Sequence, residues 1–143
     1  MNNSKFKVPF LSLKFDDKKR KSEYLNQLSK LLDTGMYVSK NKKSSISTFE
    51  KKLKKYFKKK YCILTSSGSS SLYLSLKALN LKEGDEVITS PYSWLTTASA
   101  IVSAGLKPVF VDIREDYNIS PLEIEKKITK KTKAILPIHM CGQ

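Results

Sequence analysis

Apolar residues recur along this chain in two alternating periods. Tyr24, Leu25, Leu28, Leu31 and Leu32 share one stripe at helical spacing, which predicts a helix over 18–32 with a buried face, ended by Asp33-Thr34-Gly35. A loop follows. Ser47-x-x-Glu50 reads as a capping box opening a second helix, its buried stripe Phe49, Leu53, Tyr56 and Phe57 and its other faces lysine. Residues 61–65 form a short apolar, β-favouring run, and Leu72, Leu76 and Leu79 then return to helical spacing before a strand at 86–89. Residues 94–104 predict a helix of small and apolar residues stopped by Gly105. The run PVFVDI at 108–113 predicts a strand buried on both faces. Ser120-Pro121-Leu122-Glu123 starts another helix, with Ser120 as cap, Pro121 at the first helical position and Glu123 completing the box. Residues 134–138 form the last strand, and the first ten residues read as an arm.

Strands alternating with helices imply an α/β layer fold, a largely parallel sheet with flanking helices and right-handed crossovers. Ligands of such sheets bind at the carboxyl ends of the strands. That edge collects residues 66–71, residues 90–94, Asp112 with the loop after it, and His139.

Residues 66–71, Ser-Ser-Gly-Ser-Ser-Ser, fall between a strand pattern and a helix pattern. A helix start presents unpaired N–H groups and the positive end of the helix dipole, so an anion such as phosphate suits it. Gly68 lets the backbone come close to that anion, and the hydroxyls of Ser69, Ser70 and Ser71 add donors. A serine-glycine run is also what a turn or linker looks like. Trp94, just past a proline-bearing turn, fits either a platform for a flat ligand or an ordinary core position. His139 and Asp112 each fit a structural role as readily as a site role, since no nearby spacing makes His139 a triad member or metal ligand.

At 143 residues and 40% hydrophobic, the chain has the length of one domain, burying roughly 68% of its unfolded surface. It contains no apolar run of the roughly 18 residues that a membrane span needs, and its amino terminus lacks the apolar core of a secretory signal. The expected compartment is the cytoplasm. Cys62 and Cys141 fit neither a disulfide framework nor a metal-ligand spacing, and Cys62 reads as a small core residue. The formal charge of +14 lies amino-terminally, with 18 Lys and Arg against 5 Asp and Glu in residues 1–60, and 9 against 8 thereafter. Only Arg20 and Arg114 are arginines, so the forked donor that reads guanine edges is nearly absent and no specific nucleic-acid partner is expected. A solvated lysine face, from general compositional bias, and weak salt-sensitive attraction to polyanions both account for the excess.

The order of these segments resembles the DegT/DnrJ/StrS family of pyridoxal-phosphate-dependent nucleotide-sugar aminotransferases. The resemblance is carried by the opening Val8-Pro9-Phe10-Leu11, Thr34-Gly35-Met36-Tyr37-Val38, Phe49-Glu50 and Ser67-Gly68-Ser69. It continues through Gly84-Asp85-Glu86-Val87-Ile88, the segment Ser90-Pro91-Tyr92-Ser93-Trp94 and the run from Gly105 to Asp112. It ends in the segment from Lys133 to Gly142.

This resemblance implies the amino-terminal part of a type I aminotransferase large domain. The arm and first helix would occupy 1–33, a loop and lysine-rich helix 34–60, and a βα core with the cofactor-phosphate loop 61–143. It places the phosphate of pyridoxal 5'-phosphate against Gly68, Ser69 and Ser70, and the pyridine ring on Trp94. The family usually has Gly-Thr-Ala where this chain has Gly68-Ser69-Ser70, a change that keeps one hydroxyl and the backbone donors. The family's Schiff-base lysine and the aspartate that pairs with the pyridinium nitrogen lie downstream of the segment matching residues 139–143, and no lysine here stands in a matching context. No catalytic residue and no metal ligand are therefore expected within these residues. The implied full-length enzyme is a homodimer moving an amino group, from glutamate, to a keto-sugar nucleotide. The 143 residues alone would be inactive. The alternatives are a non-catalytic lysine-rich polyanion binder and a structural remnant without activity.

Overall fold

The computed structural model describes residues 14–35 and 44–142. The expected amino-terminal arm, its Val8 to Leu11 motif, Met36-Tyr37-Val38 and Gln143 lie outside the described residues. The chain forms two compact units, Met1–Leu64 and Thr65–Gln143.

Among the described residues, the first unit contains two helices. Helix α1, Lys18–Thr34, starts where Asp17 accepts the Arg20 amide at 3.0 Å, and ends where Gly35 turns left-handed (φ 63°) and donates back to Leu31 and Leu32. Helix α2, Ser45–Tyr56, begins earlier than the capping-box pattern predicts. Ser44 is its cap, accepting the Ser47 amide at 3.2 Å, while the Glu50 carboxylate accepts the Leu64 amide at 3.0 Å. Neither stripe is a buried core face: Leu25, Leu28, Phe49 and Tyr56 are all exposed. Their amphipathic spacing forms the helices, but no described residue of this unit is buried.

Residues 61–65 are likewise not a strand. A strand exists only through a ladder partner, and no ladder among the described residues includes these positions. Tyr61 and Ile63 instead face solvent, and Cys62 is half-buried rather than a core residue.

The second unit is the α/β layer that the alternating pattern predicts. Its elements are α3 (Gly68–Ala78), β1 (Glu86–Thr89), α4 (Leu95–Ser103), β2 (Lys107–Phe110), α5 (Pro121–Lys127) and β3 (Thr132–Leu136). Both strand pairs are parallel, in the order β2-β1-β3, with Ile88 beside Val109 on one side and Ile135 on the other. Central β1 is buried at every position, and Val87 and Ile88 are fully inaccessible. Val87 joins Leu76, Ala100, Ile101 and Leu106 in one core, where α4 packs on β1 and β2 and α3 packs on α4. Fully burying side chains such as Val87 and Ile101 stabilises by about 1.5–3 kcal/mol each. Leu79 misses this core at 54% exposure because α3 ends before it and Asn80 turns away at φ 51°.

The strand expected over 108–113 is shorter and one-sided. Among the described residues β2 pairs only with β1, an edge position that tolerates Pro108, and Phe110 is exposed. Beyond Val111 the chain leaves the ladder for a turn in which Ile113 bridges Ile119 in antiparallel fashion. Two other termini match the pattern. Gly105 (φ 83°) closes α4 by donating to Val102, and Ser120 caps α5 by accepting the Glu123 amide, with Pro121 in the first turn; Glu123 does not complete the expected box, because its carboxylate pairs with Lys126 and the Ser120 amide donates to the Asp112 carbonyl.

Candidate functional site

Helix α4 follows β1 and so starts at the carboxyl edge of the sheet, and the start of α3 lies beside it, with Ser69 Oγ 3.5 Å from Thr96 Oγ1. At α3, extended Ser67 (φ −162°, ψ 164°) is the cap. Its Oγ accepts the Ser70 amide at 3.1 Å and its carbonyl accepts the Ser71 amide at 3.0 Å. The amides of Gly68 and Ser69 have no acceptor among the described residues. They are the donors that an incoming anion would meet.

Hydroxyls cluster in the same turn. Ser70 Oγ lies 3.0 Å from Ser67 Oγ and 3.1 Å from Ser66 Oγ, while Thr65 Oγ1 donates to the Ser67 carbonyl at 2.9 Å and touches Ser71 Oγ. A Cβ placed on Gly68 would meet nothing within 4 Å, so the space beside its Cα in the first turn of the helix is open. Phosphate, with several acceptor oxygens, fits two free amides with rotatable hydroxyls in the same turn. On the neighbouring helix, Thr96 Oγ1 stands 3.5 Å from Ser69 Oγ, and both border a groove of about 290 Å³ with Ser70 and Ser99.

Trp94 is the cap residue of α4 and makes no side-chain cap bond. The residue is 81% exposed among the described residues and takes no part in the core around Val87. The loop before it is pinned. Buried Ser90 accepts the Tyr92 amide at 3.1 Å, Ser93 Oγ lies 2.6 Å from buried Thr97 Oγ1, and Tyr92 stacks on Tyr117 with centroids 5.4 Å apart. A recess of about 320 Å³ runs beside Trp94 past Pro91, Ala98 and Phe110.

The structure therefore brings Gly68, Ser69 and Ser70 to one helix start and joins that helix to Trp94's helix through Ser69 and Thr96. It gives Asp112 the capping role: its Oδ1 accepts the Ile113 amide at 2.8 Å and its carbonyl accepts the Ser120 amide. His139 lies exposed beyond β3, its carbonyl accepting the Gly142 amide at 3.2 Å. Sequence reasoning missed Ser67 as the true cap and Thr96 as the link between helices. The first was legible as the serine preceding the helix, whereas the second needs the packing of α3 on α4. Among the described residues, no cluster of three His, Cys, Asp or Glu could hold a metal ion, and no helix is long and apolar enough to cross a membrane.

Two carboxylates have perturbed acidity, and neither belongs to the cup. Glu86, at the amino end of β1, is held below its ordinary range first by the Thr129 hydroxyl at 2.8 Å and then by Lys107 at 3.2 Å. Asp116 is lowered chiefly by the Asn118 amide at 3.0 Å, with the Arg114 guanidinium adding to it.

The chain is similar to several known proteins. The chain is 39% identical over 139 residues to the 3-oxo-glucose-6-phosphate:glutamate aminotransferase of Bacillus subtilis, which covers 96% of this chain and 31% of that protein. It is 38% identical over 122 residues to the spore coat polysaccharide biosynthesis protein SpsC of the same organism, covering 85% and 31% of the two. Among solved structures, NtdA from Bacillus subtilis, with its cofactor PMP bound, superposes with a TM-score of 0.86 at 38% identity, covering 95% of this chain and 31% of that one. DesV of S. venezuelae superposes with a TM-score of 0.84 at 32% identity, covering 93% and 35%. The chain thus spans about a third of the length of these relatives. With residues 18–143 also matching the model of that family, the chain belongs to the DegT/DnrJ/EryC1/StrS aminotransferase family.

Proposed function

We propose that these residues form the phosphate cup and ring platform of a pyridoxal-phosphate-dependent aminotransferase acting on a keto-sugar nucleotide, with glutamate as amino donor. The observation that carries this reading is the pair of unpaired Gly68 and Ser69 amides, with open space at the Gly68 Cβ position and the hydroxyls of Ser66, Ser67 and Ser70 clustered in the same turn, at the helix start beside Trp94's helix. The Gly68 and Ser69 amides and the Ser69 and Ser70 hydroxyls bind the phosphate, and the exposed Trp94 indole orients the ring and excludes water from one of its faces. When bound, pyridoxal phosphate supplies an electron sink for the substrate carbon that gains or loses the amine. The proton transfer at that carbon needs an amine base, and the ring needs an acidic partner at its nitrogen. Both groups come from chain outside these residues. In this reading the 61–143 core is the cofactor-binding part of a larger cytoplasmic homodimer, with 1–33 as arm and first helix and 34–60 as loop and lysine-rich helix.

The test is an assay with glutamate, added pyridoxal phosphate and keto-sugar nucleotides. Residues 1–143 alone give no turnover, and turnover appears when a segment carrying the missing lysine and acid is supplied, as continued chain or co-expressed fragment. Turnover by residues 1–143 alone would contradict the reading, because a lysine present here, such as Lys77 or Lys107, would then have to hold the cofactor.

Non-catalytic polyanion binding is the second reading, and one observation favours it. Lys52, Lys54, Lys55, Lys58 and Lys59 are all exposed within and just after α2. Salt-sensitive retention on a polyanionic resin without any response to pyridoxal phosphate would select it.

A further inference from the structure

We propose that Tyr117 and Asn118 form a brace that positions two loops at the carboxyl edge of the sheet, one carrying Trp94 and the other carrying His139. The part played by Trp94 rests on the cofactor reading above; the brace itself rests on geometry.

The turn after β2 is closed by its own backbone. Ile113 bridges Ile119, the Arg114 amide donates to the Asn118 carbonyl at 2.9 Å, and the Tyr117 amide donates to the Arg114 carbonyl at 2.9 Å. Closing it places Tyr117 at φ 65°, a conformation that glycine or asparagine adopts at lower cost than a bulky ring does. The ring is not there for burial, since Tyr117 is 56% and Tyr92 is 48% exposed. What it does is stack on Tyr92, at 5.4 Å and an interplanar angle of 25°, two residues before Trp94. One arm of the brace therefore ends on the loop that carries the ring platform.

The other arm is Asn118. Its Oδ1 accepts the Met140 amide at 3.1 Å, next to His139, across 22 residues of sequence. Its orientation is fixed by Asp116, whose carboxylate accepts the Asn118 amide at 3.0 Å and whose carbonyl accepts Nδ2 at 3.4 Å. Arg114 pairs with the same carboxylate. Neighbouring residues with their side chains committed to two different loops are thus held in one rigid turn. Both are positioning residues, acting on the site through Tyr92 and Met140.

Hydrogen exchange of the 143-residue chain, resolved by segment, tests this. Tyr117→Gly removes the ring while relaxing the backbone, so a ring with no part in positioning predicts an equally or better protected chain. The brace predicts faster exchange at the amides of residues 92–94 with β1 and α4 unchanged, parent-like exchange in Tyr117→Phe, and faster exchange at 140–142 in Asn118→Ala. Parent-like exchange at 92–94 in Tyr117→Gly would overturn the brace. So would acceleration spread evenly over β1 and α4, or failure of that variant to fold, since the ring would then serve the fold and not the loop. A second readout separates this inference from the cofactor reading. Trp94 is the single tryptophan, so its fluorescence reports directly whether added pyridoxal phosphate reaches it. Quenching in the parent that is lost in Tyr117→Gly agrees with both. No quenching in the parent contradicts the cofactor reading, while the exchange result still decides the brace.

Discussion

Thr89 Oγ1 donates to the Leu136 carbonyl at 2.8 Å, joining the last residue of β1 to the last residue of β3 by a side chain that is fully buried. The bond locks the two strand ends from which the Trp94 and His139 loops depart. Thr89→Val keeps the shape and removes the donor, so it should destabilise the second unit by about 1 kcal/mol. Urea unfolding followed by far-ultraviolet circular dichroism measures this; a midpoint equal to the parent's would show that the bond contributes nothing.

Gly68 gives a separable test of the phosphate cup. Because an added Cβ would meet nothing within 4 Å, Gly68→Val should leave folding intact, within a few tenths of a kcal/mol, while its branched side chain fills the open space in the turn that carries the free amides. Weak, reversible binding of pyridoxal phosphate should disappear with an unchanged melting curve. Equal binding by the variant would remove the cup from the account.

The contrast between these positions and residues 61–65 shows what the sequence could convey. The period-2 and period-3.6 signals found β1, α4 and α5, and Ser120-Pro121 found the start of α5, because each is set by local pattern and capping. Residues 61–65 carry the same apolar signal without a strand, since strand formation depends on a partner that local sequence does not report. Ser44, not Ser47, is the cap of α2, and Glu50 answers to Leu64, fourteen residues away. At the site, Gly68, Ser69 and Ser70 were legible as a helix start, and Trp94 as a platform or core residue. Its exposure and the Tyr117 to Tyr92 stack belong to packing.

Trp94 should matter to ligand and not to fold. Trp94→Ala loses the ring of an 81% exposed residue that makes no cap bond, so thermal stability should stay at the parent value. Pyridoxal phosphate affinity should weaken by about 0.5–1.5 kcal/mol, by analogy with aromatic pairs. Equilibrium dialysis on both proteins checks this, and unchanged affinity would mean that the ring does not rest on the indole.

Glu86 sets an acid limit on the fold. Its folded-state pKa is lowered below the ordinary 4.5 by the Thr129 and Lys107 contacts, so the stability it adds is fully present above that pH. That contribution should decline as pH drops below 4.5 and vanish once the folded-state pKa is passed. Glu86→Gln should flatten this part of the pH profile of urea midpoints; a parallel profile would assign acid sensitivity to other groups.

The most direct test of the central claim follows the Gly68 and Ser69 amides themselves. Titrating 15N-labelled chain with inorganic phosphate, pyridoxal phosphate and phosphate-free pyridoxal should shift these two resonances with the first two ligands and not with the third. Gly68→Val should abolish the Ser69 response. Silent amides, or equal shifts with pyridoxal, would contradict a phosphate cup at the start of α3.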